Sequence, residues 1–186
     1  WPPSSAGEGD ADDADGVVIH PLLAEYARTL SCLDIEEREV GKTLAALADT
    51  LVSMAREAND QMDQTGNLIH FERLSSHVRT VAEAAKVREA ENAAHLWVNL
   101  GYYLDRIADY PGARAAFERA LTIQEKVYEE ENHHIATTVN NLGLVLQAQG
   151  DLAGARAAFE RALRIKEQIY ESDHPSIATT VNNLGS

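Results

Sequence analysis

The chain has 186 residues, with 30 acidic against 16 basic side chains and a formal net charge of −14. That balance makes DNA or RNA a poor partner, because a phosphate-binding surface needs an excess of Lys and Arg. The one cysteine, Cys32, can form no intrachain disulfide and suits a reducing cytoplasmic compartment, and no apolar run approaches the ~20 residues that a membrane-spanning helix needs.

Pro2 to Gly16 is rich in Ser, Gly, Asp and Ala and reads as a loop. Acids crowd the segment before Glu37, where Arg28 is the only base. The N-terminus has no basic stretch followed by an apolar one, so no signal peptide is expected. Val17-Val18-Ile19 suits a short strand, which needs a pairing partner, and Trp1 is placed to end one. His20-Pro21 turns the chain into a helix with Leu22, Leu23, Tyr26, Ala27 and Leu30 on one face. A long helix is predicted from Glu37 to Gln61. Its apolar positions Val40, Leu44, Leu47, Leu51, Met54 and Ala58 alternate by four and three, a narrow seam. Gly66 ends it, and Asn67 can cap a further helix with Leu68, Phe71, Leu74, Val78 and Val81 inward.

The second half repeats itself. Gly112-Ala-Arg-Ala-Ala-Phe117-Glu-Arg-Ala-Leu121 recurs as Gly154-Ala-Arg-Ala-Ala-Phe159-Glu-Arg-Ala-Leu163, an offset of 42 residues. The same offset carries Leu100-Gly101 onto Leu142-Gly143 and then onto Leu184-Gly185. A fixed period of this length marks a stacked-repeat architecture. Each unit reads as two helices: Ala90 to Ala108 with Pro111 to Glu130, then His134 to Gln149 with Asp151 to Glu171. Pro111 suits a first helical turn, where its missing N–H costs nothing. Gly150 supplies a turn and Asp151 an N-cap. Gly101 and Gly143 fall mid-helix, where Gly costs about 1 kcal/mol relative to Ala, so a close helix approach is expected there. Phe117 and Phe159 are expected to fill the space between a hairpin and the next helix.

These residues resemble the tetratricopeptide repeat. Trp97, Leu100, Gly101, Leu104, Ala113, Phe117 and Ala120 take the places of its signature, followed by Val139, Leu142, Gly143, Leu146, Ala155, Phe159 and Ala162. The usual unit of about 34 residues ends in Pro. Here Glu125 and Glu167 replace that Pro, so the second helix runs on. The long unit, with Asp173-His174-Pro175 and Ala178-Thr-Thr-Val-Asn-Asn-Leu-Gly185, is similar to the subtype of kinesin light chain and of many bacterial signalling proteins. The expected fold is all-α: a right-handed superhelical solenoid of antiparallel helix pairs, with a short winged-helix remnant before it. The expected divisions are residues 1–36, an adaptor hairpin 37–89, and repeats 90–186. The third unit reaches only its first helix at Ser186, which is expected of a piece of a longer array.

The passage Ile19-His20-Pro21-Leu22-Leu23 with Arg28 resembles the end of the winged helix in NB-ARC/STAND signalling ATPases. The resemblance implies that His20 contacts the β-phosphate of bound ADP in a parent protein. Pro21 stands where that motif has Asp. Thr65-Gly66-Asn67 is similar to the adaptor hairpin of bacterial NB-ARC proteins with repeats. The implied cofactor, ADP or ATP, belongs to the parent, whose ATPase domain is the expected partner in cis; none is expected in this fragment.

Chemistry within the chain is sparse. Gly41-Lys42-Thr43 has Glu36 where a phosphate-binding loop needs a Gly, and helical flanks. His133-His134 and His174 in the turns, and His70 with His77, lack the spacing of a metal set. The repeated Glu118/Glu160 and Arg119/Arg161 read as ion pairs rather than an acid–base pair. No nucleophile arrangement can be argued, so a non-catalytic chain is expected. The resemblance implies that the first helix of each pair lines a concave peptide groove. Asn99, Asn141 and Asn183 recur just before the repeated Leu. They either grip a peptide backbone or bond between helices of the scaffold. His95, Val98, Tyr102 and Asp105 would face the groove in one unit, and Thr137, Asn140, Leu144 and Gln147 in the next. The resulting reading is a protein- or peptide-binding sensor; a stand-alone adaptor and an enzyme appendage are its rivals.

Overall fold

The computed structural model describes residues 37–84, 90–128 and 132–185, with side chains from residue 42 onward. Two compact units are distinguished, Trp1–Val40 and Gly41–Ser186. The predicted Val17–Ile19 strand, Trp1 and His20 lie outside the described residues.

The described residues form seven helices: α1 (Glu37–Thr65), α2 (Ile69–Ala84), α3 (Ala90–Arg106), α4 (Tyr110–Val127), α5 (His133–Ala148), α6 (Leu152–Ile169) and α7 (Pro175–Gly185). Each helix from α2 onward packs on the next in the chain. The result is an all-helical solenoid of antiparallel pairs, as the repeat predicts.

The helix limits follow from local chemistry. Gly66 leaves α1 with φ +71°, and its N–H donates to the Met62 carbonyl. Asn67 accepts from the Ile69 N–H at 3.0 Å and caps α2. Asp109 and Asp151 cap α4 and α6 by accepting from Gly112 and Gly154. The second helices stop earlier than predicted, at Val127 and Ile169, because Tyr128 and Tyr170 turn extended. The helix expected from His134 begins one residue earlier, so His133 joins it rather than the turn, since Asn132 caps α5 by accepting from the His134 N–H at 2.8 Å. His174 does lie between helices, where its Nδ1 accepts from the Ser176 N–H at 3.2 Å.

The seam of α1 differs from the predicted one. Ala48, Leu51, Val52, Ala55, Ala58, Asn59 and Met62 are buried, whereas Met54 is 40% exposed. The buried stripe is wider than a coiled-coil seam and leans to one side of it. Small Ala48 and Ala55, both 0% exposed, let neighbouring helices come close. Large apolar residues alone do not mark that face. On α2, Phe71 is fully buried and stacks on Tyr103 at 4.7 Å between ring centroids. One core cluster runs from Ala48 and Leu51 through Phe71 and Leu100 to Phe117 and Val145, so α1 and α2 share a core with the first repeat.

The mid-helix glycines are explained by a ring rather than by a backbone. A Cβ on Gly101 would meet the Phe117 ring at 2.8 Å, and one on Gly143 the Phe159 ring at 2.5 Å. Each Phe therefore fills a notch inside its own hairpin, not the space before the next helix. Gly185 has nothing within 4 Å of its Cβ position.

Adjacent repeats differ in one buried polar rung. Gln124 of α4 and Lys166 of α6 are equivalent under the repeat and are 1% and 5% exposed. Lys166 Nζ donates to Thr180 Oγ1 at 2.7 Å and to the Ser176 carbonyl at 3.2 Å. Burial lowers the pKa of this ammonium. Thr180 in turn stands 3.3 Å from Asn140 Oδ1. Val98 occupies the position equivalent to Asn140 in the preceding repeat.

Candidate partner-binding groove

Helical periodicity gives each first helix one stripe that the hairpin packing does not use. On α3 the stripe holds His95, Asn99 and Tyr102, each partly buried; on α5 it holds Thr137, Asn141 and Leu144. Helix α1 supplies a matching stripe of Arg56, Asn59, Asp60 and Asp63, which the repeat signature did not reveal.

Between α1 and α3 the stripes enclose a cleft of about 260 Å³, lined also by Val98 and, from α5, by Asn141. Asn59 Nδ2 donates to the Asn99 carbonyl at 3.2 Å and to Asn99 Oδ1 at 3.0 Å. Asn99 Nδ2 donates to the His95 carbonyl at 2.8 Å. At the cleft's end Tyr102 donates to Asp63 at 2.6 Å, and Arg106 donates to the same carboxylate at 2.7 Å and to Tyr102 Oη at 2.9 Å. The Tyr102 hydroxyl bond, then Arg106, hold the Asp63 carboxyl below its ordinary range. Burial, then Asp63, raises the Tyr102 phenol. Asp105 is raised by burial.

The predicted groove residues divide. His95, Asn99 and Tyr102 stand together along the α1–α3 wall, with Asn141 facing them. Thr137 and Leu144 are exposed on α5; the Thr137 hydroxyl donates to its own helix at His133. Asn140 is 8% exposed, and its Oδ1 accepts from Asn183 Nδ2 at 3.3 Å and from Thr180. Asn140 and Asn183 thus join α5 to α7.

His95 also belongs to an aromatic cluster. Its ring meets His134 edge-on at 4.9 Å; His134 lies 3.9 Å from His133 and 5.3 Å from Tyr128. Tyr128 Oη donates to Glu91 at 2.8 Å, and Arg56 lies 3.5 Å from His95 Nδ1. Burial, then His133 and His95, drives the His134 pKa down to about 4. Burial, then Arg56, lowers His95. No group of three or more His, Cys, Asp or Glu among the described residues is arranged to hold a metal ion.

The repeated charges form ion pairs, as expected, both within helices and between them. Arg114–Glu118 at 2.8 Å and Arg156–Glu160 at 2.9 Å lie within helices. Arg119–Glu83 at 3.0 Å and Arg161–Glu125 at 2.6 Å tie neighbouring second helices, and Arg119 also covers the Trp97 ring at 4.6 Å. No helix among the described residues is long and apolar enough to cross a membrane.

A tetratricopeptide-repeat family model matches residues 92–166 and 134–186. The chain belongs to the tetratricopeptide repeat family, whose members are generally non-catalytic scaffolds that bind proteins or peptides. No curated protein matches it. Among solved structures it is similar to BtubC (BKLC) from P. vanneervenii, with 20% identity, TM-score 0.62, 91% of this chain covered and 65% of that one. It is also similar to a putative kinesin light chain with nearly identical TPR-like repeats from Podosopora anserina, with 20% identity, TM-score 0.63, and 76% and 64% covered. The chain therefore spans less than two thirds of either protein's length.

Proposed function

We propose that the chain recognises an extended segment of a partner protein along the stripes of α1, α3, α5 and α7. The observation that supports this most is Asn141, whose carboxamide stands partly open at the cleft, while the equivalent Asn99 bonds Asn59 of α1 and its own helix. An extended backbone offers alternating N–H and C=O groups, and a carboxamide can meet either. The test contrasts neighbours on α5. Asn141→Ala should weaken partner binding about tenfold while leaving helix content and thermal melting unchanged. Asn140→Ala should lower the melting point instead, since its bonds hold α7. An Asn141→Ala protein that binds like the parent sinks the reading.

The wider proposal is that this groove is the sensor of an NB-ARC/STAND-type signal-transduction regulator in the cytoplasm. It is supported by the Ile19-His20-Pro21-Leu22-Leu23 passage, with His20 as the ADP β-phosphate contact of the parent. Partner capture would then loosen an ADP-bound resting state. The coding sequence upstream tests it: a Gly-rich phosphate loop and a winged helix are expected, and an unrelated domain there overturns it. A stand-alone adaptor similar to kinesin light chain is the second reading, favoured by the fold shared with the P. anserina protein.

A further inference from the structure

We propose that the cleft between α1 and α3 receives a cationic side chain, Lys or Arg, of the extended segment; the inference rests on the groove reading above. Two acceptors of its lining are left without a partner. Asn59 is 6% exposed, and both of its Nδ2 bonds go to Asn99 oxygens, which fixes the orientation of the amide. Asn59 lines the cleft, and its Oδ1 is buried without a hydrogen-bond partner. A buried acceptor left unpaired is costly, so a donor from outside gains there. One residue on, the Asp60 carboxylate lines the same cleft and carries no hydrogen bond or ion pair among the described residues.

Apart from the Asn141 carboxamide on the α5 side, the donors beside them are engaged. Tyr102 and Arg106 are committed to Asp63, and the Asn99 Nδ2 to the His95 carbonyl. Arg56, the remaining cation of the lining, reaches toward His95 Nδ1. Val98 gives an apolar strip against which the methylenes of a Lys or Arg stem can lie while the charged head meets oxygen. The chain's charge of −14 draws a basic segment toward it at long range. The α1 wall lies outside the residues matched by the repeat family, so this chemistry belongs to the adaptor helix rather than to the repeat signature.

The test uses the whole 186-residue chain and four end-blocked tripeptides at millimolar concentration: Ala-Lys-Ala, Ala-Arg-Ala, Ala-norleucine-Ala and Ala-Glu-Ala. Side-chain amide resonances of Asn59 and Asn99 report on binding. The Lys and Arg peptides are expected to move both, and Asp60→Asn, a surface change, to weaken that response about tenfold. High salt should weaken it as well. Equal shifts from Lys and norleucine, stronger shifts from Glu, or none from any peptide would overturn the proposal. The groove reading fails separately: an intact Lys-selective response at Asn59, together with unchanged partner binding in Asn141→Ala, keeps the cleft and discards the longer groove.

Discussion

Phe159 and Gly143 act as one unit, because the ring occupies the space that a Cβ would need. Gly143→Ala should destabilise the chain by about 1–3 kcal/mol, read from urea unfolding, despite the better helix propensity of Ala. Phe159→Ala should cost about 3–5 kcal/mol, since the ring is 2% exposed. In the doubly substituted Gly143→Ala, Phe159→Leu chain the costs should not add, because the smaller side chain relieves the clash. Gly185→Ala is the control: with nothing within 4 Å it should be neutral or slightly stabilising. The sequence showed that these glycines sit where something comes close, but not that the intruder is a phenylalanine of the same hairpin. Likewise Asn140 and Asn141 looked equally suited to a groove. Adjacent helical residues point about 100° apart, so one enters the scaffold and the other faces the cleft.

At the scale of elements, the joint between α3 and α5 is built from imidazoles. His134 has a folded-state pKa of about 4, below the ~6.5 of an unfolded chain. The unfolded state therefore binds more protons between those values, and stability falls as pH drops from about 6.5 toward 4. The groups facing His134 include His95 of α3 with Glu91 beside it, Arg56 of α1, and Tyr128 and His133; of these only Glu91 is anionic. Melting points taken from pH 7 to pH 4.5 should fall, and His134→Phe, which keeps the stack on Tyr128, should flatten that slope. A slope unchanged in His134→Phe would assign the acid sensitivity elsewhere; Asp63, whose pKa is lowered, loses its contribution only at still lower pH. The repeat hairpins were legible because the 42-residue echo fixes their spacing. Helix α1 was less so. It was recognised as a helix, but its place beside the first repeat depends on alanines and an asparagine, types that carry little hydrophobic signal.

At the scale of the molecule, stability in such an array is local, each helix resting on its neighbours. Amide hydrogen exchange of this chain should be slowest in α3 and α4, which lie in the largest core cluster, and fastest in α7, which rests on α6 and on the Asn140 bonds. Uniform protection through all helices would contradict that picture. Two units so alike in sequence invite the expectation that they could trade places. The polar rung between them says otherwise. Lys166 bonds Thr180, itself against Asn140, whereas Gln124 belongs to the repeat that carries Val98 and, two periods before Thr180, Leu96. With the two repeats exchanged, the Lys166 ammonium would face Leu96, which has no hydroxyl to accept from it. The rung is thus an address written into otherwise interchangeable parts. Grafting the second repeat elsewhere in an array would require Lys166, Thr180 and Asn140 to travel together.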